Sequence, residues 1–315
     1  MTPTADHLLD AFAHLRRARR GDAYAPHKPL LLLWALARLQ RGEPERVAFT
    51  EAEGALKHLL ERFGPSGASK SRHYPFWHLA TDDGGRLWTL DGPPALLARA
   101  AGATPNLGEL RVPGVAGGFA PDVVRALRAQ PWLLQTLAEQ LLEQCFPPSL
   151  HADIADAVGL RLGDAALPLA AEPDAPRYRV RRERERDRRF RERVLQAYGL
   201  RCGVCGFDLR LDAASAALEA AHIQWLQYAG PDDLCNGIAL CALHHKLFDL
   251  GVFTVMPEGL RVVYSRRAEG SSAADGELRH HGRALLAPAG EAARPAPRFL
   301  QWNFANVFKQ PALQP

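Results

Sequence analysis

The chain has 315 residues, of which 47% are hydrophobic and 23% charged, with a formal net charge of +4. That length allows two domains with a core each, and the composition is that of a globular chain. No apolar run approaches the roughly 20 residues that span a bilayer, and the opening MTPTADHLLD shows no basic-then-apolar signal pattern, so a membrane partner is excluded and a cytoplasmic location expected.

Leu8, Leu9, Phe12 and Leu15 recur at helical spacing and predict a first helix over 6–20. A second is expected over 29–41, where Pro29 sits at a helix start that tolerates it. Thr50 followed by Glu53 reads as a capping box opening a third helix. Residues 76–80 and 86–90 read as two strands of a hairpin turning on Asp82-Asp83-Gly84-Gly85. Helices are expected over 121–128 and 132–145. Residues 161–176, rich in Ala, Pro and Asp, read as a linker. Between Arg177 and Arg193 ten arginines stand against four acids. That surplus of six favours a phosphate-tracking helix over a self-paired solvated one. The last stretch, 297–308, is expected to be a closing helix with its aromatics in the core. The fold class is α+β: a mainly helical domain with a small β-hairpin over 1–160, the linker, and a second domain over 177–315.

Four of the five cysteines fall within forty residues, which points to metal and not to a disulfide framework. Cys202-Gly-Val-Cys205 is a CxxC knuckle. Thirty-six residues after Cys205 comes Cys241-Ala-Leu-His244. Two such pairs can meet as one tetrahedral site of three thiolates and an imidazole, a structural Zn2+ that staples a small fold. Cys235 fits no pair and is expected to be a buried thiol.

Between the pairs lie Glu219-Ala-Ala-His222-Ile and the run from Asn236 through His245 to Asp249. The order His222, Asn236, His245, set in the words AHI, NGIALC and LHHKLFD, resembles the HNH endonucleases. The resemblance implies a ββα-metal nuclease fold, with His222 as general base and His245 as ligand of a catalytic divalent cation (Mg2+, Mn2+ or similar). It also implies that Asn236 pins the connecting loop and orients the base. Neutral imidazole has a pKa suited to taking a proton from water near pH 7, and a cation on the phosphate stabilises the developing oxyanion. Asp249, four residues beyond His245, shares its helical face, so the two are expected to grip one ion. One departure stands out: many HNH enzymes carry a metal ligand just before the base, where this chain has Ala221. Glu219 is the candidate substitute.

Two N-terminal words remain, Tyr24-Ala-Pro-His27-Lys28-Pro29-Leu-Leu-Leu-Leu and Arg72-His73-Tyr74-Pro75-Phe76-Trp77-His78-Leu79. They resemble the sulfur-binding domain of restriction endonucleases that attack phosphorothioated DNA, over about residues 5–145. Its union with an HNH domain resembles the McrA-like enzymes. The resemblance implies an apolar cup built on Tyr74 and Pro75, with His78 in the wall. Such a cup rejects a hydrated oxygen and accepts the larger, softer sulfur. His27, Lys28, Arg72 and His73 are the matching candidates for flanking phosphates, with Arg111, Gly117 and Gly118 expected in another DNA-facing loop.

The expected function is that of a modification-dependent restriction endonuclease, its partner double-stranded DNA carrying phosphorothioate. Two rivals stand beside it: an HNH enzyme reading another mark or sequence, and a zinc-stapled DNA-binding regulator without catalysis. One active site per chain leaves both a homodimer and two successive nicks open.

Overall fold

The computed structural model describes residues 3–20, 23–99, 103–163, 188–212, 214–270 and 276–314. The chain forms two compact units, Met1–Pro168 and Leu169–Pro315. The proposed linker and the first half of the arginine-rich run fall largely outside the described residues.

The first unit is built around the helix His27–Gln40, whose residues 29–38 are all buried. A helix apolar on every side belongs at a centre, and here Phe49–Phe63, Tyr74–His78, Pro131–Cys145 and Pro148–Val158 pack on it, with Ala5–Ala13 packed on Pro131–Cys145. The first helix is shorter than its spacing predicts: it ends at Ala13, and Arg19–Arg20 pairs as a strand with Ala23–Tyr24. Helices over Pro121–Ala129 and Pro131–Cys145 match expectation, each with proline in its first turn.

The expected hairpin is not formed. Tyr74–His78 is a helix with Pro75 in its first turn, followed by a 3-10 segment over Leu79–Gly85. Proline lacks the N–H that a sheet ladder needs but fits a helix start. Phe76 meanwhile packs edge-on against Phe49 and Trp88, with ring centroids 5.1 and 5.8 Å apart. The strand Trp88–Asp91 pairs instead with Ala116–Phe119, which also pairs with Val47–Ala48 in a three-stranded antiparallel sheet. This corrects the reading of Gly117 and Gly118 as DNA-facing. They lie mid-sheet, where a Cβ would come within 2.7 Å of Phe76 and 2.1 Å of the Glu45 carbonyl oxygen. The capping box is corrected too: the third helix starts at Phe49 without a side-chain cap, and Glu53 turns inward to pair with Arg72 and Arg111.

The second unit carries the expected ββα arrangement. Leu218–His222 runs antiparallel to Gly237–Cys241, with Leu218 opposite Cys241 and His222 opposite Gly237. The helix Ala242–Asp249 follows directly. A helix over 188–197 presses Phe190 and Val194 onto this pair. Gly237 is required there, since a Cβ would lie 2.4 Å from Val194. The strands Phe253–Met256 and Arg261–Tyr264 and the final helix Pro297–Asn306 complete the core, with Phe248, Phe253, Tyr264, Phe299 and Leu300 buried together. Cys235 is half-buried at its edge. Among the described residues, no helix is long and apolar enough to cross a membrane.

Candidate active site and nucleic-acid interface

The two cysteine words come together. Donor atoms of Cys202, Cys205, Cys241 and His244 all lie within 4.8 Å of one another. His244 Nδ1 is 3.1 Å from Cys241 Sγ and 3.6 Å from Cys202 Sγ. Ligand bonds of about 2.0–2.3 Å at tetrahedral angles put neighbouring donors about 3.5–3.8 Å apart, so three thiols and an imidazole at these spacings fit zinc. Cys202 and His244 are buried, as a structural site requires. The Cys202 thiol is pushed below its ordinary range, chiefly by hydrogen bonding with Cys241 and against the opposing effect of burial. On its other side, His244 Nε2 sits 2.8 Å from Glu277.

His222 ends its strand with its ring stacked on Phe190, centroids 3.9 Å apart and planes 12° from parallel. Its Nε2 lies 3.0 Å from Asp232 Oδ1. Asn236 is wholly buried and closes the loop between the two strands. Its side chain accepts from the Gln224 N–H at 2.9 Å and donates to the carbonyls of Gln224 and Pro231 at 3.0 and 2.9 Å.

His245 is bracketed by two acids. Nδ1 lies 2.5 Å from Glu219 Oε2 and Nε2 lies 3.2 Å from Asp249 Oδ2. Asp249 is deeply buried and also accepts from Trp225 Nε1 at 3.1 Å, whereas the Glu219 side chain is 47% exposed. Burial opposes a charge on His245, but Asp249 and then Glu219 outweigh it and lift its pKa to about 10. The bracket therefore calls for a cation, and the ring answers by holding a proton. The two acids meet opposite nitrogens of the ring and so do not close on one point: an ion on Nε2 would be shared with Asp249, with Glu219 holding the other edge of the ring. Ala221, the gap noted in the motif, is wholly buried against the core and offers nothing.

In the first unit a cavity of about 530 Å³ is lined by five of the seven expected contact residues, His27, Lys28, Tyr74, Pro75 and His78. Ala18 and Ala25 add apolar wall, and Arg16, Arg17 and Asp82 add charge. Tyr74 is about half exposed at its mouth, with the His73 ring against it at 4.4 Å. His78 Nε2 meets Thr104 Oγ1 at 2.8 Å, and His27 Nε2 meets the Ala68 carbonyl at 2.9 Å. Burial lowers the pKa of both rings, so both favour the neutral form. Arg72 does not line the cavity: it and Arg111 pair with Glu53. Arg16 and Asp82 went unread in the sequence. The basic run Arg16-Arg17-Ala18-Arg19-Arg20 was the available signal for the first.

Lys28 is held by both Asp82 oxygens, at 2.7 and 2.8 Å, with its side chain 11% exposed. Its charge is neutralised inside the wall and not offered to solvent. Arg16, 67% exposed and 3.2 Å from the same carboxylate, is the outward cation. Lys28→Ala is therefore expected to destabilise the first unit by about 2–3 kcal/mol, because it strips a buried carboxylate of its main partner. Urea unfolding measures this. Unchanged stability with a flatter salt dependence of DNA binding would instead mark Lys28 as a phosphate contact.

A family model described as a ScoMcrA-like DNA sulfur-binding domain matches residues 5–162, half of the chain. A second, described as an HNH endonuclease, matches residues 202–256. No curated protein matches. Among solved structures, the chain is similar to the sulfur-binding domain of ScoMcrA complexed with phosphorothioated DNA, at 26% identity, covering 48% of this chain and 94% of that one with a TM-score of 0.42. It is also similar to a ScoMcrA structure holding the sulfur-binding and SRA domains, at 28% identity, covering 56% of this chain and 55% of that one, with a TM-score of 0.44. Against the structure of the Type IV phosphorothioation-dependent restriction endonuclease ScoMcrA, identity is 26%, coverage 56% of this chain and 33% of that one, and the TM-score 0.40. The chain belongs to the ScoMcrA-like family of DNA sulfur-binding proteins and is a DNA endonuclease whose second unit is an HNH domain.

Proposed function

We propose that this protein docks its first unit on double-stranded DNA bearing a backbone phosphorothioate and hydrolyses a nearby phosphodiester bond with its second. The observation that carries this reading is the union in one chain of a sulfur-binding family domain and the His222, Asn236, His245 constellation.

In the first unit the wall formed by Pro75, Ala18, Ala25 and the Tyr74 ring takes the sulfur. A phosphate oxygen placed there gives up hydrogen bonds to water and finds no replacement, whereas sulfur, a weak acceptor, gives up little. Neutralisation of Lys28 by Asp82 serves the same end, since a bare ammonium in the wall would welcome any phosphate. Arg16 meets the flanking backbone, while His27 and His78 shape the cup as neutral rings.

In the second unit His222 takes the proton of the attacking water. Asn236 fixes the loop beside it. His245 Nε2 and Asp249 would hold the divalent cation, while Glu219 on the other ring nitrogen orients the imidazole. When bound, that cation neutralises charge on the scissile phosphate and its leaving oxygen. The cluster of Cys202, Cys205, Cys241 and His244 holds Zn2+ and secures the start of the helix that presents His245.

Binding to matched duplexes with and without one backbone sulfur tests the first half. The wild-type chain should prefer the sulfur duplex by at least about tenfold, and Pro75→Ala should erode that preference more than it erodes total affinity. Equal affinity of the wild type for both duplexes removes the sulfur reading and leaves an HNH enzyme of other specificity.

A further inference from the structure

We propose that Asp232 is the positioning residue for His222: its carboxylate holds the imidazole proton on Nε2 and so makes Nδ1 the basic nitrogen of the ring. This rests on the reading of His222 as the base.

The contact is Nε2 to Oδ1, 3.0 Å, with the two side chains 12% and 21% exposed. A neutral imidazole carries one N–H, and the partner of one nitrogen decides where it sits. A carboxylate only accepts, so the nitrogen facing it carries the hydrogen. Phe190 covers one face of the ring at 3.9 Å. The edge is thus fixed by the carboxylate and the plane by the phenyl ring.

The loop that brings Asp232 there is itself held at several points. Asn236 Nδ2 donates to the carbonyl of Pro231, the residue just before Asp232, at 2.9 Å. Arg193 Nη2, from the helix over 188–197, donates to the Asp232 carbonyl at 2.7 Å. Asn236 therefore reaches the base by two routes: through Gln224, two residues beyond His222, and through Pro231, whose neighbour Asp232 brings its carboxylate to the ring. Among the described residues, Glu219, three residues back along the strand, and His245 and Asp249, on the following helix, are further titratable groups of this active site.

The proton balance is simple. Water gives its proton to Nδ1 as its oxygen bonds to phosphorus, and the P–O bond to the leaving sugar oxygen breaks, that oxygen taking up a proton from solvent. The imidazolium then carries N–H on both nitrogens. Asp232 stabilises that charge, as the buried aspartate does in a Ser-His-Asp triad.

The test uses the full zinc-loaded chain with Mn2+ and a duplex carrying one phosphorothioate. Asp232→Asn can present an amide N–H to Nε2 and force the proton onto Nδ1. The cleavage rate should fall at least about 10²-fold with DNA affinity unchanged. ¹⁵N spectra of the histidines should show His222 moving from the Nε2–H to the Nδ1–H tautomer. Asp232→Ala should lose the tautomer preference and slow cleavage about 10-fold or more, and Asp232→Glu should recover part of the rate. Zinc retention and cooperative unfolding confirm that each variant is folded. Wild-type rates in Asp232→Asn, or a rate loss without a change of tautomer, overturn the proposal. If His222→Ala is inactive while Asp232→Asn is fully active, only this inference fails; if His222→Ala cleaves normally, the reading of the base fails with it.

Discussion

His222→Ala is expected to reduce the rate of DNA cleavage by about 10³-fold while leaving DNA affinity within a factor of about two. A positioned general base contributes about 10²–10⁴-fold, and alanine offers no group to take the proton at the place where Phe190 and Asp232 hold the ring. The ring makes no contribution to the cavity in the other unit, where DNA affinity is expected to reside. Single-turnover cleavage and equilibrium binding on the same duplex separate the two effects. DNA left equally intact by wild type and variant under Mg2+ and Mn2+ would favour the zinc-stapled regulator over the nuclease.

Removal of zinc should have an effect of similar weight, on folding and not on chemistry. Cys241 ends the strand paired with the one that carries His222, and it caps the helix that carries His244 and His245, so the cluster ties together both elements of the site. Structural zinc sites contribute apparent free energies of about 10–16 kcal/mol, more than the whole stability of a typical domain. Calorimetry of the metal-loaded chain should show unfolding of both units. Chelation, or Cys202→Ser, should abolish the transition of the second unit and leave that of the first in place, since none of the clustered donors lies in residues 5–162. A chelated chain that keeps both transitions would mean the thiols hold no structural ion.

The second unit was the more legible of the two because its chemistry is written in short words. A CxxC and a CxxH are each four residues long, and His222, Asn236 and His245 follow in order within the words AHI, NGIALC and LHHKLFD between and beside them. The Glu219 contact was also within reach, since only an acid near Ala221 could replace the missing ligand. Asp232 was not: nothing in its neighbourhood announces a contact with a strand ten residues earlier. In the first unit the same difficulty is larger. Lys28 and Asp82 are 54 residues apart, and Arg111 reaches Glu53 across 58. Such pairs are set by tertiary packing, which turned an apparent capping glutamate inward and an apparent phosphate contact into a buried ion pair. Residues 76–80 read as a strand because Phe76 and Trp77 favour sheets, although Pro75 argues for a helix start, and Tyr74–His78 is a helix.

The account is tested most directly by incubating the whole chain with Mn2+ and two duplexes of identical sequence, one carrying a single backbone sulfur. Cleavage confined to the sulfur-bearing duplex, and absent with His222→Ala, is the expected result. Equal cleavage of both duplexes, or of neither at any divalent ion concentration, would contradict it.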